Sequence, residues 1–511
     1  MYPGAHAATT PDKPAIVVAE TGETVTYGQL DTRSLRFARH LYDVGVRPGD
    51  HIAVLSDNQP RALEIYWAAL RSGLYVTFVN SQLTAAEVAY IVNDCDAQAF
   101  VIAERYAGIA ATVIAQTPRV GHRIALGGAG CVDGFDDYET LVAAASTQPL
   151  PAQPCGADML YSSGTTGFPK GIEAPLPGYD VDESGDRITG LFAPVLGLGP
   201  DSVYLSPAPV YHAAPLRFMA MAHRIGATVV MMRHFDAADA LLFIERYRVT
   251  HSQWVPTMFV RMLRLDRQIR DSFDLSSHRC AVHGAAPCPV EVKRAMIDWW
   301  GPILLEYYSA TEAAGTTIID SQDWLRHPGS VGKPVLGIAH ICDDSGAEVA
   351  TGETGTVYFE RDVAPFEYHN DPQRTAETRH RSHPNWTTTG DVGRLDAEGY
   401  LYLTDRKSFT IISGGVNIYP QEIENALALH PAVLDVAVIG VPDPEMGQSV
   451  VAVVHPTVDP GRCHDLPALL DRFLRERIAS YKVPRRYEFS TDLPRTPTGK
   501  LIKGRLQERY A

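Results

Sequence analysis

Between residues 14 and 103 short apolar runs alternate with stretches of helical periodicity, and this alternation limits the available folds more than any other feature. Thr26 to Gln29 has the spacing of a capping box, Leu30, Phe37 and Leu41 recur at helical intervals, and Gly45 stops the helix. Residues 51–56 read as a strand. Leu63, Tyr66 and Leu70 mark the stripe of a second helix ended by Gly73, and 75–79 and 99–103 read as further strands. With so little hairpin chemistry between them, these units predict a mostly parallel sheet covered by helices.

The rhythm weakens over 104–157, an alanine-rich, glycine-punctuated connection, and again over 174–200, where Pro, Gly and Asp predict a surface excursion. It resumes with strands at 228–232 and 249–254, a helix after Asp236 and another ending near Trp300. From 330 to 404 strands dominate, among them 355–360 and 400–403. Beyond Asp405 come a helix opened by 418–424, a strand at 433–441 and a helix from about 467 to 480, a unit of about 100 residues large enough for its own core. The expected architecture is therefore α/β. A large N-terminal domain (1–404) carries mostly parallel sheets and a β-rich subdomain (330–404), a hinge spans 405–408, and a small mobile α+β domain fills 409–511.

At 511 residues the chain exceeds one ordinary core and predicts two to four units. Its net charge of −15 argues against nucleic acid, since neutralising a phosphate backbone needs a basic surface. The seven cysteines include no C-x-x-C pair, so neither zinc nor a disulfide framework is expected. The amino terminus has no leader-like pattern and no stretch is apolar enough to span a bilayer, which predicts a cytoplasmic protein with reduced thiols.

The chemistry concentrates in Tyr161-Ser-Ser-Gly-Thr-Thr-Gly-Phe-Pro-Lys-Gly171. Glycines at 164, 167 and 171 let successive N–H groups point at one anion, and Ser162, Ser163, Thr165, Thr166 and Lys170 complete a phosphate cradle. It is not a Walker A loop, because Lys170 precedes Gly171 rather than Ser or Thr.

This run resembles the phosphate loop of the AMP-forming adenylating enzymes: acyl-CoA synthetases, peptide-synthetase adenylation domains and luciferases. Five further segments resemble that family's motifs in its order. They are Tyr307-Tyr-Ser-Ala-Thr-Glu312, Thr389-Gly-Asp391, Asp405-Arg406, the stretch 413–424 opening Ser-Gly-Gly, and Arg495-Thr-Pro-Thr-Gly-Lys500.

The resemblance implies ATP, Mg²⁺ and coenzyme A as cofactors, with nucleotide contacts from Ser162, Ser163, Gly164, Thr165, Thr166, Gly167 and Lys170. Gly284, Ala285 and Ala286 would lie beside the adenine, with Tyr307, Tyr308 and Thr311 near it and Asp391 and Arg406 on the ribose. Glu312 and Thr166 are the implied metal ligands. Lys500 would bridge the acyl carboxylate and the α-phosphate, where two anions must be brought together. Ser413, Gly414 and Gly415 would meet coenzyme A, and His212, Ala213, His283 and Ala310 the acyl group. His212, Glu312, Thr166 and Lys500 are the catalytic candidates. Ser408 stands at the hinge position, where relatives carry Asp or Lys.

Other readings of the same residues stay open. Lys500 alone reads as a solvated lysine, Asp391 as an Asx-turn residue, Arg406 as an interdomain ion pair, and His212, Tyr307 and Tyr308 as core groups. The small residues near 213, 285 and 310, with no evident cation, point to a hydrophobic acid. An enzyme loading a separate carrier protein and an inactive nucleotide-binding regulator are the alternatives.

Overall fold

A computed structural model describes residues 2–162, 169–414, 416–457, 465–495 and 501–510, and for Ser162 and Ser408 the backbone only. Among these residues two parallel sheets form the bulk of the chain. One has nine strands, parallel from Leu304–Ser309 through to Pro14–Val18 and antiparallel at both edges. The other has six, all parallel, with His51–Leu55 at its centre.

The strand His51–Leu55 shows why these runs are apolar throughout. Ile52 and Val54 face a core shared with the nine-stranded sheet, while Ala53 and Leu55 face a second core under the outer helices. Both faces are covered, so alternation disappears. The helices Tyr27–Asp43, Pro60–Leu70 and Ala213–Ile225 fill the space between the two sheets.

Three smaller sheets complete the fold. Leu160–Ser162, Lys170–Glu173 and Glu367–Tyr368 form one, antiparallel throughout. A five-stranded antiparallel sheet includes Gly355–Glu360, Asp391–Leu395 and Leu401–Arg406. The carboxy-terminal sheet is built on the long pair Val433–Asp443 and Gly447–Pro456, covered by Pro420–Leu427 and Leu466–Arg475. The architecture is α/β with separate β-rich regions, as the sequence predicts.

Several expectations are corrected. The connection 104–157 contains the helices Ala107–Gln116 and Tyr138–Ala144 and the strand His122–Leu126. The excursion 174–200 contains the helix Arg187–Leu196, capped by Asp186 accepting from Thr189 N at 2.7 Å and closed by Gly197 at φ 65°. Leu466–Arg475 ends five residues before Ser480. Asp405 and Arg406 still belong to a strand, and the turn that follows is Lys407–Phe409.

Candidate active site

The hairpin that carries the glycine-rich run is visible through its two arms, with Lys170 opposite Ser162 and Gly171 opposite Tyr161. Ser163, Gly164, Thr165, Thr166 and Gly167 lie outside the described residues, as do Gly415 and Lys500. Tyr161 Oη donates to Asp94 Oδ2 at 2.5 Å, and His369 N donates to the Gly171 carbonyl at 2.9 Å. The hairpin is thus tied to a helix on one side and to Glu367–Tyr368 on the other.

Lys170 Nζ lies 4.9 Å from the centre of the Tyr368 ring. Burial holds its ammonium below the ordinary value, helped by the charge of Arg374 and opposed by Glu312. Tyr368 Oη in turn donates to Glu312 Oε1 at 2.9 Å. The other carboxylate oxygen of Glu312 makes no hydrogen bond among the described residues and is available to a hard cation.

Glu312 follows the strand Leu304–Ser309, in a segment held from outside by two arginines. Arg217 donates to the Thr311 carbonyl at 3.3 Å and is paired with Asp158 at 2.7 Å. Arg361 donates to the Ala313 carbonyl at 3.1 Å, next to a left-handed Ala313 at φ 51°. A non-glycine residue persists there only when its surroundings hold it, and here two guanidinium groups do so.

Asp391 is buried and takes three donors. Tyr308 Oη reaches Oδ2 at 2.6 Å, Thr389 Oγ1 reaches the same oxygen at 2.8 Å, and Arg406 Nε reaches Oδ1 at 3.0 Å. Arg406 is its cross-strand partner, so the ladder itself places the ion pair. Asp391 raises the affinity of Arg406 for its proton against the pull of burial, and Glu312 adds to the effect. Burial, then Asp391, pushes the Tyr308 phenol far up. A carboxylate offers about four acceptor positions, so with three donors in place a sugar hydroxyl has room for about one more.

The segment expected beside the adenine begins at the end of Cys280–His283. Gly284 is backed so closely by Tyr307 that a Cβ would stand 2.8 Å from its ring and its carbonyl, and Ala285 is left-handed at φ 68°. Ala286 follows, half-buried, and Ala310 is likewise half-buried. Tyr307 and Tyr308, adjacent in sequence, take opposite roles because successive strand residues face opposite ways. Tyr307 packs against Phe192 and Phe218 in the core, with its phenol pushed up to about 12 by burial, while Tyr308 reaches Asp391.

The acyl candidates fall in two places. His212 stands at the N-terminal boundary of the helix Ala213–Ile225 without a side-chain capping bond, its ring 4.6 Å from that of Tyr211, and Ala213 is half-buried against the core. His283 has no accessible surface. It stands between Phe259 and the buried Lys293–Glu306 pair, whose ions are 2.6 Å apart, and burial lowers its affinity for a proton. That is a core position rather than an accessible wall. The sequence shows no cation near the acyl candidates, yet Arg217 lies one helical turn past Ala213; its charge is answered by Asp158.

Ser413 is buried and pairs with Gly447, and Gly414 is left-handed at φ 58° with its N–H donated to the Met446 carbonyl at 2.8 Å. Tyr368, Arg217, Asp158 and Arg361 contact the candidate residues or their segment and no motif marked them. Their only sequence signal is that each is a polar residue within or beside a short apolar strand or helix.

Two profiles for AMP-binding enzymes match, the main one over residues 4–363 and that of the AMP-binding enzyme C-terminal domain over 422–500. The chain is 34% identical over 97% of its length to a feruloyl-CoA synthase of an Amycolatopsis species, covering 96% of it. It is 31% identical over 99% of its length to the long-chain-fatty-acid–CoA ligase FadD13 of Mycobacterium tuberculosis, covering 97% of that chain. The figures are 31%, 99% and 95% for a fatty acid–[acyl-carrier-protein] ligase, ScoC, of Streptomyces coeruleorubidus.

Among solved structures, the amide bond synthetase McbA from Marinactinospora thermotolerans superposes with a TM-score of 0.82 at 26% identity, each chain fully covered. The o-succinylbenzoate CoA synthetase MenE from Bacillus subtilis, in complex with its acyl-adenylate, gives 0.81 at 27% identity, covering 99% of this chain and 97% of that one. The family carried by the motifs and the converging side chains is thereby established: the chain belongs to the AMP-binding enzymes and is an AMP-forming acid–thiol ligase.

Proposed function

We propose that the protein is an acyl-CoA synthetase for a hydrophobic carboxylic acid. In the first half-reaction a carboxylate oxygen attacks the α-phosphorus of ATP, the bond to the bridging oxygen breaks, and pyrophosphate leaves. In the second, the thiol of coenzyme A loses its proton and its sulfur attacks the acyl carbon, and AMP leaves. The observation that carries this reading is the convergence from three sheets of two linked groups, Tyr308, Asp391 and Arg406 on one side and Glu312, Tyr368 and Lys170 on the other, with Glu312 close enough to act on the charge of Arg406.

Each residue has a task in the first step. Asp391 and Arg406 hold the ribose, and the Gly284–Ala286 backbone accepts the flat base. Lys170, with Ser162 through Gly167, neutralises the outer phosphates. Glu312 and Thr166 would hold Mg²⁺, which offsets phosphate charge as pyrophosphate departs. Lys500 supplies the cation between acyl carboxylate and α-phosphate. For the second step, a hinge at Ser408 would turn residues 409–511 against 1–404 and bring Ser413, Gly414 and Gly415 to the pantetheine thiol.

The apolar acid is supported by the half-buried Ala213 and Ala310 and by the engagement of Arg217 with Asp158, which leaves that cation answered. The resemblance to a feruloyl-CoA synthase and a fatty-acid ligase points the same way. Carrier-protein loading is the second reading, favoured by the 31% identity to ScoC. ATP–pyrophosphate exchange across short, long, aromatic and polycyclic acids, followed by coenzyme A, a carrier protein or hydroxylamine as acceptor, tests both. Thioester formed on the carrier protein but not on coenzyme A would refute the first. The Lys500→Ala variant should lose exchange while still forming thioester from supplied acyl-adenylate.

A further inference from the structure

Val433, Leu434 and Asp435 open the long strand Val433–Asp443, and each is gripped from outside it. Arg264, at the end of the helix Pro256–Leu263 beside the nine-stranded sheet, donates to the Val433 carbonyl at 2.8 Å and to the Leu434 carbonyl at 2.9 Å. Asp435 accepts a two-pronged contact from Arg495, Nε to Oδ2 and Nη2 to Oδ1, both at 2.5 Å. The register of the long strand pair shifts between Val433 and Asp435, a local irregularity at the strand end that Arg264 and Arg495 hold.

Arg495 is also one foot of the segment that carries Lys500. It pairs with Leu501 in an antiparallel bridge, and Ile502 N donates to the Pro494 carbonyl at 2.8 Å. The residues between those feet lie outside the described residues, but both feet are fastened to each other and, through Arg495, to Asp435. The pair is about three-quarters buried, with 25% and 28% of the two side chains exposed, so water screens it less than a surface pair. A planar guanidinium fork on a carboxylate also fixes direction, which a lone ammonium would not. Arg495 Nη2 also approaches the Val436 carbonyl at 3.5 Å, while the buried side chains of Val436, Val438, Val450 and Ala452 form a core with Leu470 of the covering helix.

We propose that Asp435 is a positioning residue for adenylation: through Arg495 it sets the root of the Lys500 segment, while Arg264 anchors the same strand end to the large parallel sheet. The inference rests on the reading of Lys500 given above. A misplacement of about 1 Å at a reacting group costs roughly a hundredfold in rate. Loss of the fork should therefore slow adenylation selectively, because thiol attack on a finished adenylate does not use that lysine.

The test is Asp435→Asn in the full-length enzyme, with the two half-reactions measured apart. Pyrophosphate exchange is expected to fall about tenfold to a hundredfold in kcat with little change in the KM for ATP. Thioester formation from supplied acyl-adenylate should stay within about threefold of the parent. Asp435→Glu should recover part of the exchange rate, and the reversed pair Asp435→Arg with Arg495→Asp should recover more than either single reversal. Arg264→Met should slow exchange in the same direction. Equal losses in both half-reactions, or a lowered melting temperature with no split, would assign the pair to folding alone and overturn the proposal. If Lys500→Ala lowers exchange and Asp435→Asn does not, this inference fails and the lysine's role stands. If Lys500→Ala leaves exchange intact, both fail.

Discussion

The Tyr308 hydroxyl and the Asp391 carboxylate, borne by two different sheets, meet at 2.6 Å. Tyr308 is the last residue but one of Leu304–Ser309 in the nine-stranded sheet and Asp391 begins a strand of the five-stranded sheet, so this bond joins the two sheets where the nucleotide would lie. A hydrogen bond to a charged group contributes roughly 1.5–3 kcal/mol, about tenfold or more in binding when the contact orients a ligand group. Tyr308→Phe should raise the KM for ATP about tenfold with a smaller effect on kcat. Asp391→Ala should do more, since it also leaves Arg406 and Tyr308 without their acceptor. Initial rates with ATP varied at saturating acid measure both, and an unchanged KM in Asp391→Ala would remove the ribose assignment.

Glu312→Gln separates charge from shape. The amide oxygen can still accept from Tyr368, so the loop should hold and the melting temperature should stay within about 2 °C, as for a surface change of about 0.5 kcal/mol. The negative charge offered to a hard cation disappears. Pyrophosphate exchange should fall about a hundredfold and require more Mg²⁺ for half-maximal rate, and chelation with EDTA should abolish it in the parent. A variant with parental exchange and parental Mg²⁺ dependence would move the metal elsewhere.

Gly284 is small because Tyr307 leaves no space. An added methyl would stand 2.8 Å from the tyrosine ring and from its carbonyl, and a carbonyl cannot swing aside as a flexible side-chain tip would. Gly284→Ala should cost about 1–3 kcal/mol in urea unfolding, as overpacking does. Because the shift is passed to the neighbouring Tyr308, the KM for ATP should rise as well. A variant of parental stability would show that the segment yields more easily than its contacts suggest.

Stability should fall on acidification through a buried histidine that belongs to none of the site motifs. His223 has no exposed surface, accepts from Trp67 Nε1 at 3.0 Å, and donates to the Ala15 carbonyl at 3.1 Å. Burial, with a smaller opposing effect of the Ala15 carbonyl, lowers it to about 4 from the ordinary 6.5. The unfolded chain therefore binds a proton that the folded chain refuses between those values. The stabilisation is complete above pH 6.5 and is lost as pH falls toward 4, amounting to about 3 kcal/mol over that interval. Urea midpoints from pH 7 to 4.5 should decline, and His223→Gln, though less stable at pH 7, should decline less steeply. Parallel declines would exclude His223 as the source.

Short-range features could be read directly. The capping box Thr26–Gln29 opens Tyr27–Asp43 with both of its hydrogen bonds present, and Asp236 caps Ala237–Arg246 as its position suggests. Such signals are contacts over three or four residues, and nothing distant needs to be known to recognise them. The helix Ala107–Gln116 carries no such signal, because its apolar residues run nearly all the way round and show no stripe. In Arg187–Leu196 the signal is masked by Pro194 and the neighbouring glycines, which have the composition of a loop.

The letters of the site were also legible, since Glu312, Asp391, Arg406 and Lys170 stand in short contiguous motifs whose chemistry is carried by residue type and spacing. Their partners were not. Tyr368 meets Glu312 across 56 positions and Arg217 meets Asp158 across 59, and neither belongs to a run that announces it. Residue order alone thus determined the α/β class, the order of its elements and the identity of the charged groups, because these depend on periodicity and local chemistry. Which phenol touches which carboxylate, and that His283 is sealed in a core while Tyr308 reaches the cleft, only the tertiary structure decided. Such pairings depend on how sheets remote in sequence pack, and packing is a property of the whole chain rather than of any stretch within it.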